Sequence, residues 1–125
     1  MTLQEEIEFF SALELNEENR AEALEAFRQL KAKLNAGKVR AASPDRDPAN
    51  RSGWIAHAWV KKGILLGFRL GQIQEYSLGE RFRFFDKDTY PLRDMTKADN
   101  VRIVPGGTSV RDGSFVGRNV VIMPP

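Results

Sequence analysis

The chain has no cysteine and only one histidine, His57. Without cysteine there is neither a disulfide framework nor a thiolate metal site, and a single imidazole cannot build a zinc centre alone. Long apolar runs are also missing: none approaches the roughly 18 residues a membrane-spanning helix requires. The N-terminus, Met1-Thr2-Leu3-Gln4-Glu5-Glu6, is acidic where a secretory signal is basic and then apolar. A cytoplasmic protein without a membrane partner is expected. Charge of one sign is lacking too. Nineteen Lys and Arg face seventeen Asp and Glu, interspersed along the chain, so the clustered basic patch that meets nucleic acid is absent. No P-loop, dinucleotide fingerprint, calcium loop or Ser-His-Asp motif occurs. What remains is 125 residues, enough for one domain with a core of its own.

The first third reads as two amphipathic helices. Thr2-Leu3-Gln4-Glu5 has capping-box form, and Leu3, Ile7 and Phe10 fall on one helical face. Asn16 is the expected second N-cap, with Glu17 and Glu18 in a first turn that favours negative charge. Leu24, Phe27, Leu30 and Leu34 keep helical spacing, and Lys31, Lys33 and Gly37 form a C-terminal signature. Val39 to Ala42 predicts a short strand, residues 43–52 a mobile loop of turn formers, and Trp54 to Ala58 the returning strand of a hairpin. Trp59 to Leu70 predicts a buried helix that stops at Gly71. Gly63 and Gly67 inside it cost about 1 kcal/mol each relative to Ala. Their spacing puts both on one face, where another backbone would come close. Gln72 to Tyr76 and Arg81 to Phe85 read as extended, with Arg81-Phe82-Arg83-Phe84 alternating as a half-buried strand does. Residues 86–99 read as polar connection.

The C-terminal part carries a different period. Val104, Val110, Val116 and Ile122 recur every six residues, with Thr108, Ser114 and Val120 at the same interval behind them. Helices repeat near 3.6 and simple strands at 2, so a step of six points to a solenoid of very short strands. Gly106, Gly107, Gly113 and Gly117 suit its corners. A rung needs a neighbour to bury its apolar face, and roughly three or more repeats are usually required. About one triangular coil is present, so the pattern is expected to continue beyond Pro125. Residues 1–100 are expected to form one α+β domain and residues 101–125 the start of the solenoid.

Few residues stand out as chemical candidates. His57 sits among apolar and aromatic neighbours with no carboxylate nearby, and reads as structural rather than as a general base. Trp54 and Trp59 read as core aromatics. Lys61-Lys62 places positive charge at a helix start, where it opposes the dipole. Arg102 and Arg111 flank the first corners. A guanidinium is the natural partner of a carboxylate because its planar fork makes two parallel charge-assisted bonds. On pattern alone, both arginines read as surface residues.

Three stretches together carry a resemblance: Trp59-Val60-Lys61-Lys62-Gly63-Ile64-Leu65-Leu66-Gly67-Phe68-Arg69, Phe84-Phe85-Asp86-Lys87, and Val101-Arg102-Ile103-Val104-Pro105-Gly106-Gly107-Thr108-Ser109-Val110-Arg111 running on to Pro125. With them the chain resembles the bacterial tetrahydrodipicolinate N-succinyltransferases of diaminopimelate and lysine biosynthesis. That resemblance implies a mostly helical N-terminal domain with a short β-hairpin, leading into the first coil of a left-handed parallel β-helix. It implies transfer of succinyl from succinyl-CoA, the co-substrate, to tetrahydrodipicolinate by a homotrimer. Arg102 matches the family's substrate-binding arginine and would hold a substrate carboxylate. The family's acidic catalytic residue and its coenzyme A contacts are expected beyond Pro125, so no catalytic, cofactor or metal residue is assigned here. Two other readings stay open: a non-catalytic binding or assembly module, and a hexapeptide-repeat acyltransferase with a different acceptor.

Overall fold

The computed structural model describes residues 1–124. Three helices form the body: α1 (Leu3–Ala12), α2 (Arg20–Asn35) and α3 (Ala58–Leu70). The capping box of α1 is made. Thr2 Oγ1 accepts the Glu5 N–H at 3.2 Å, and the Glu5 carboxylate accepts the Thr2 N–H at 2.6 Å. The Thr2 N–H, and after it the Thr2 hydroxyl, hold the Glu5 carboxyl below its ordinary range. The last turn of α1 has no basic residue of its own. Arg69 of α3 supplies one, donating to the carbonyls of Ser11 (3.0 Å) and Leu13 (2.7 Å).

Asn16 does the chemistry expected of an N-cap, but one turn early. Its Oδ1 accepts the N–H groups of Glu18 and Asn19, and α2 proper begins only at Arg20 behind Asn19. The end of α2 is a Schellman motif: Lys38 N–H reaches Lys33 O at 3.0 Å and Gly37 N–H reaches Leu34 O at 3.1 Å. Gly37 takes the left-handed φ of 69° that this motif demands.

Ile7 and Phe10 of α1, Ala23, Ala26, Phe27, Leu30 and Leu34 of α2, and Val60, Leu66 and Leu70 of α3 make the core, with Tyr90. Full burial of a side chain such as Ile7 or Leu30 contributes roughly 1.5–3 kcal/mol. The glycine face of α3 is the contact face, but its neighbours are side chains rather than another backbone. A Cβ on Gly63 would lie 2.2 Å from Leu30 Cδ2, and one on Gly67 would lie 2.3 Å from the Phe27 ring. Tyr90 enters the same gap. Its hydroxyl donates to Ile64 O at 2.7 Å, while Thr89 Oγ1 donates to Gly67 O at 2.7 Å. Residues 86–99, expected as polar connection, therefore contribute a core aromatic. Burial pushes the Tyr90 phenol well above the usual tyrosine range, against the opposing effect of the Arg111 charge.

Strands β1 (Ala42–Pro44) and β2 (Trp54–Ala56) pair antiparallel, with Ser43 opposite Ile55. The hairpin is as expected, but its first strand lies later than Val39 to Ala42. The loop expected to be mobile is knit together: Asn50 Nδ2 donates to Asp45 Oδ2 and to Trp54 O, each at 2.8 Å. Trp54 is not a core residue; it is 57 % exposed, because a two-stranded ribbon has no layer above it. β3 (Ile73–Glu75) and β4 (Phe85–Lys87) form a second antiparallel hairpin, extended by a bridge between Leu78 and Phe82. Phe82 and Phe84 are exposed, not half-buried, and the strand itself lies later, at Phe85–Lys87, with only the Phe82 bridge inside the alternating stretch.

The chain then passes a 3₁₀ turn (Lys97–Asp99) into β5 (Arg102–Ile103) and β6 (Val121–Ile122), which pair parallel with Arg102 opposite Val121. The four residues of the six-step ladder, Val104, Val110, Val116 and Ile122, are each partly buried. Gly106, Gly107 and Gly113 have φ between 100° and 122°, as corners require. Gly117 has no positive φ; Asn119, at φ 65°, turns the chain into β6 instead.

Candidate functional site

Arg102 is placed by paired turns. Asn100 and Asn119 both adopt left-handed φ, at 53° and 65°, a conformation asparagine tolerates better than most residues. Asn119 N–H donates to Asn100 O at 2.8 Å, and their side-chain amides also meet. Each turn delivers the chain into one strand. Arg102 N–H then donates to Val120 O at 3.0 Å and Val104 N–H to Ile122 O at 3.0 Å. The Arg102 side chain is exposed and makes no hydrogen bond or ion pair among the described residues. A guanidinium on a hydrogen-bonded strand, with its donors uncommitted, suits an incoming carboxylate.

Arg111 is committed elsewhere. It pairs with Asp86 of β4 and stands over the rings of Phe68 (5.8 Å) and Tyr90 (6.0 Å). His57 is a structural histidine. Ser43 Oγ lies 2.7 Å from its Nε2, and its N–H donates to Ala41 O, so it ties β1 to the start of α3. Lys61 and Lys62 are exposed on the first turns of α3. None of these side chains converges with Arg102.

A joint that the sequence analysis passed over lies between the C-terminus of α2 and the coil. Asn35 Oδ1 accepts the Gly113 N–H at 2.7 Å and the Arg93 Nε–H at 3.2 Å, while its Nδ2 donates to Asp112 Oδ1 at 2.6 Å. Asp112 also pairs with Lys31 Nζ at 3.0 Å, both side chains about four-fifths buried. Lys31 in turn donates to Thr89 O at 2.8 Å. Arg93 closes the ring, donating its N–H to Val110 O and its guanidinium to Asn35 O. A polar residue two positions before a helix-ending glycine looks like an ordinary cap residue, so Asn35 gave no signal of its long-range role.

One cleft, of about 330 Å³, is lined by Arg20, Arg28 and Lys31 of α2 and by Gln72, Asp88 and Thr89 across from them. It lies away from Arg102. No group of three or more His, Asp or Glu side chains is gathered for a metal ion among the described residues. No helix is long and apolar enough to cross a membrane among them.

Three helices packed about a glycine face, with small two-stranded sheets beside them, define the class: an α+β fold. Residues 2–70 match the family described as tetrahydrodipicolinate N-succinyltransferase N-terminal, and the chain belongs to that family. It is similar to the 2,3,4,5-tetrahydropyridine-2,6-dicarboxylate N-succinyltransferase of Herminiimonas arsenicoxydans, 38% identical over 109 residues, which is 83% of this chain and 37% of the relative. The enzyme of the same name from Idiomarina loihiensis is 38% identical over 105 residues, 80% of this chain and 35% of the relative. That from Pseudoalteromonas translucida is 41% identical over 75 residues, 57% of this chain and 26% of the relative. The chain spans little more than a third of the length of the first two relatives.

Proposed function

We propose that the chain is the N-terminal part of an acyltransferase that moves succinyl from succinyl-CoA to tetrahydrodipicolinate, in lysine and diaminopimelate biosynthesis. The observation that carries this reading is the family match, which continues in the curated relatives into the segment around Arg102. In this reading residues 1–100 form the α+β domain, and residues 101–125 begin a left-handed parallel β-helix. Water adds across the ring C=N of the acceptor and the ring opens to an amine and a ketone; the amine then attacks the thioester carbonyl, so that a C–N bond forms, the C–S bond breaks, the amine loses a proton and the thiol leaves. Arg102 holds a carboxylate of the acceptor through its free guanidinium. The group that takes the proton and the coenzyme A contacts are expected beyond Pro125, with coenzyme A in the groove between neighbouring β-helices of a homotrimer in the cytoplasm.

Thiol release from succinyl-CoA in the presence of tetrahydrodipicolinate tests the reading. The intact gene product turns over, and residues 1–125 alone do not. Turnover by the 125 residues would overturn the placement of the catalytic groups. A second reading, a non-catalytic assembly module, draws on the exposed Leu78, Phe82 and Phe84 of the second hairpin. It gains if the intact gene product shows no thiol release and instead binds a partner through that hairpin.

A further inference from the structure

We infer that Asn35 and Asp112 form a positioning joint that aims Arg102 at the acceptor, an inference that rests on the reading of Arg102 as the carboxylate ligand. β5, which carries Arg102, is held by its parallel pairing with β6 and by the Asn100–Asn119 contacts and the Arg118 bond to Ala98 O just before it. The coil in turn is fastened to the helical body at one stretch, residues 110–115. Asn35 holds Asp112 and Gly113 there, Lys31 holds Asp112, and Asp86 holds Arg111. The Phe115 ring lies against Gly37 and under Arg40. Of these fasteners Asn35 alone reaches three coil or lead-in groups at once, because an amide offers both a donor and an acceptor. Removing it leaves the Gly113 N–H and one Asp112 oxygen without their partner in a part-buried site, so the corner must shift to find water. A fork-to-carboxylate contact tolerates little displacement, and small misplacements of a substrate-holding group are costly.

The experiment is steady-state kinetics on the intact gene product, varying acceptor and succinyl-CoA separately. N35A is expected to raise the acceptor KM about tenfold while leaving the succinyl-CoA KM unchanged. N35D alone sets two carboxylates against each other and is expected to do the same. The reciprocal N35D/D112N pair restores the pattern with donor and acceptor exchanged, and with it the acceptor KM. R102A is the reference, expected to raise the acceptor KM at least as much. If R102A raises it and N35A does not, the joint is structural and the inference fails alone. If R102A has no effect, the substrate assignment of Arg102 fails and the joint's role falls with it. Amide hydrogen exchange at Arg102 and Val104 gives a readout independent of turnover: protection falls in N35A and returns in N35D/D112N.

Discussion

A methyl group at Gly67 has nowhere to go. It would meet the Phe27 ring at 2.3 Å and the Tyr90 hydroxyl at 2.5 Å, whereas at Gly63 the nearest atom is the far end of Leu30. Alanine in a helix interior is worth about 1 kcal/mol over glycine, and overpacking typically costs 1–3 kcal/mol. A ring wedged between two helices yields less than the tip of a leucine. Gly67→Ala is therefore expected to destabilise by roughly 1–2 kcal/mol net, and Gly63→Ala by distinctly less. Urea unfolding checks this; equal midpoints for the two variants would contradict it. The pair of glycines was legible as a contact face from spacing alone. Its partner was not, since nothing local in Thr89-Tyr90 says that a phenol fills the gap between α2 and α3.

At the scale of elements, spacing located the helices, while strand limits and burial were harder to read. The capping box, the Gly37 terminus and the helix up to Gly71 all follow from residues close in sequence, and all three are found. Arg81 to Phe84 shows the limit. Alternation is a property of the strand itself, but which face is covered depends on what lies beyond it, and here nothing among the described residues covers Phe82. The loop after β1 shows the converse, since turn formers that look mobile instead satisfy one another. The N–H of Asp47 and the amide of Asn50 hold the Asp45 carboxyl below the usual range. A carboxyl depressed in the folded state stabilises above its unfolded value and loses that contribution as pH falls through the folded one. Acidification below about pH 4 is thus expected to open this loop. Rising amide exchange at Asp47 relative to α2 would report it, and protection unchanged down to pH 2 would refute it.

For the whole molecule, the question is how the helical body and the coil hold each other. Gly37 stands at the meeting point. Its φ of 69° disfavours a side chain, and a Cβ there would lie 3.0 Å from the Phe115 ring. Gly37→Ala is expected to cost about 1–2 kcal/mol, from the left-handed conformation alone, plus a displacement of Phe115. The loss should be uneven: amides of β5 and β6 lose exchange protection before those of α1. A uniform loss would mean that body and coil unfold as one unit. The candidate site was legible only in part for the same reason. Arg102 stood out through the family resemblance, whereas Asn35 and Asp112, remote in sequence, become partners only when the chain is folded.

The parallel pairing of β5 with β6 also has a kinetic side. Its strands are joined by a circuit of roughly twenty residues, and closing such a loop must be completed before its few hydrogen bonds offer any return. The helices need no such wait, because their bonds are local and form in about a microsecond or less. Chains emerge N-terminus first and tend to fold domain by domain as they do. By the time Asp112 and Gly113 leave the ribosome, the end of α2 is already in place to receive them. The helical body would then act as the mould against which this circuit of chain is cast, and an error at the end of α2 would be passed on to the strand pair that carries Arg102.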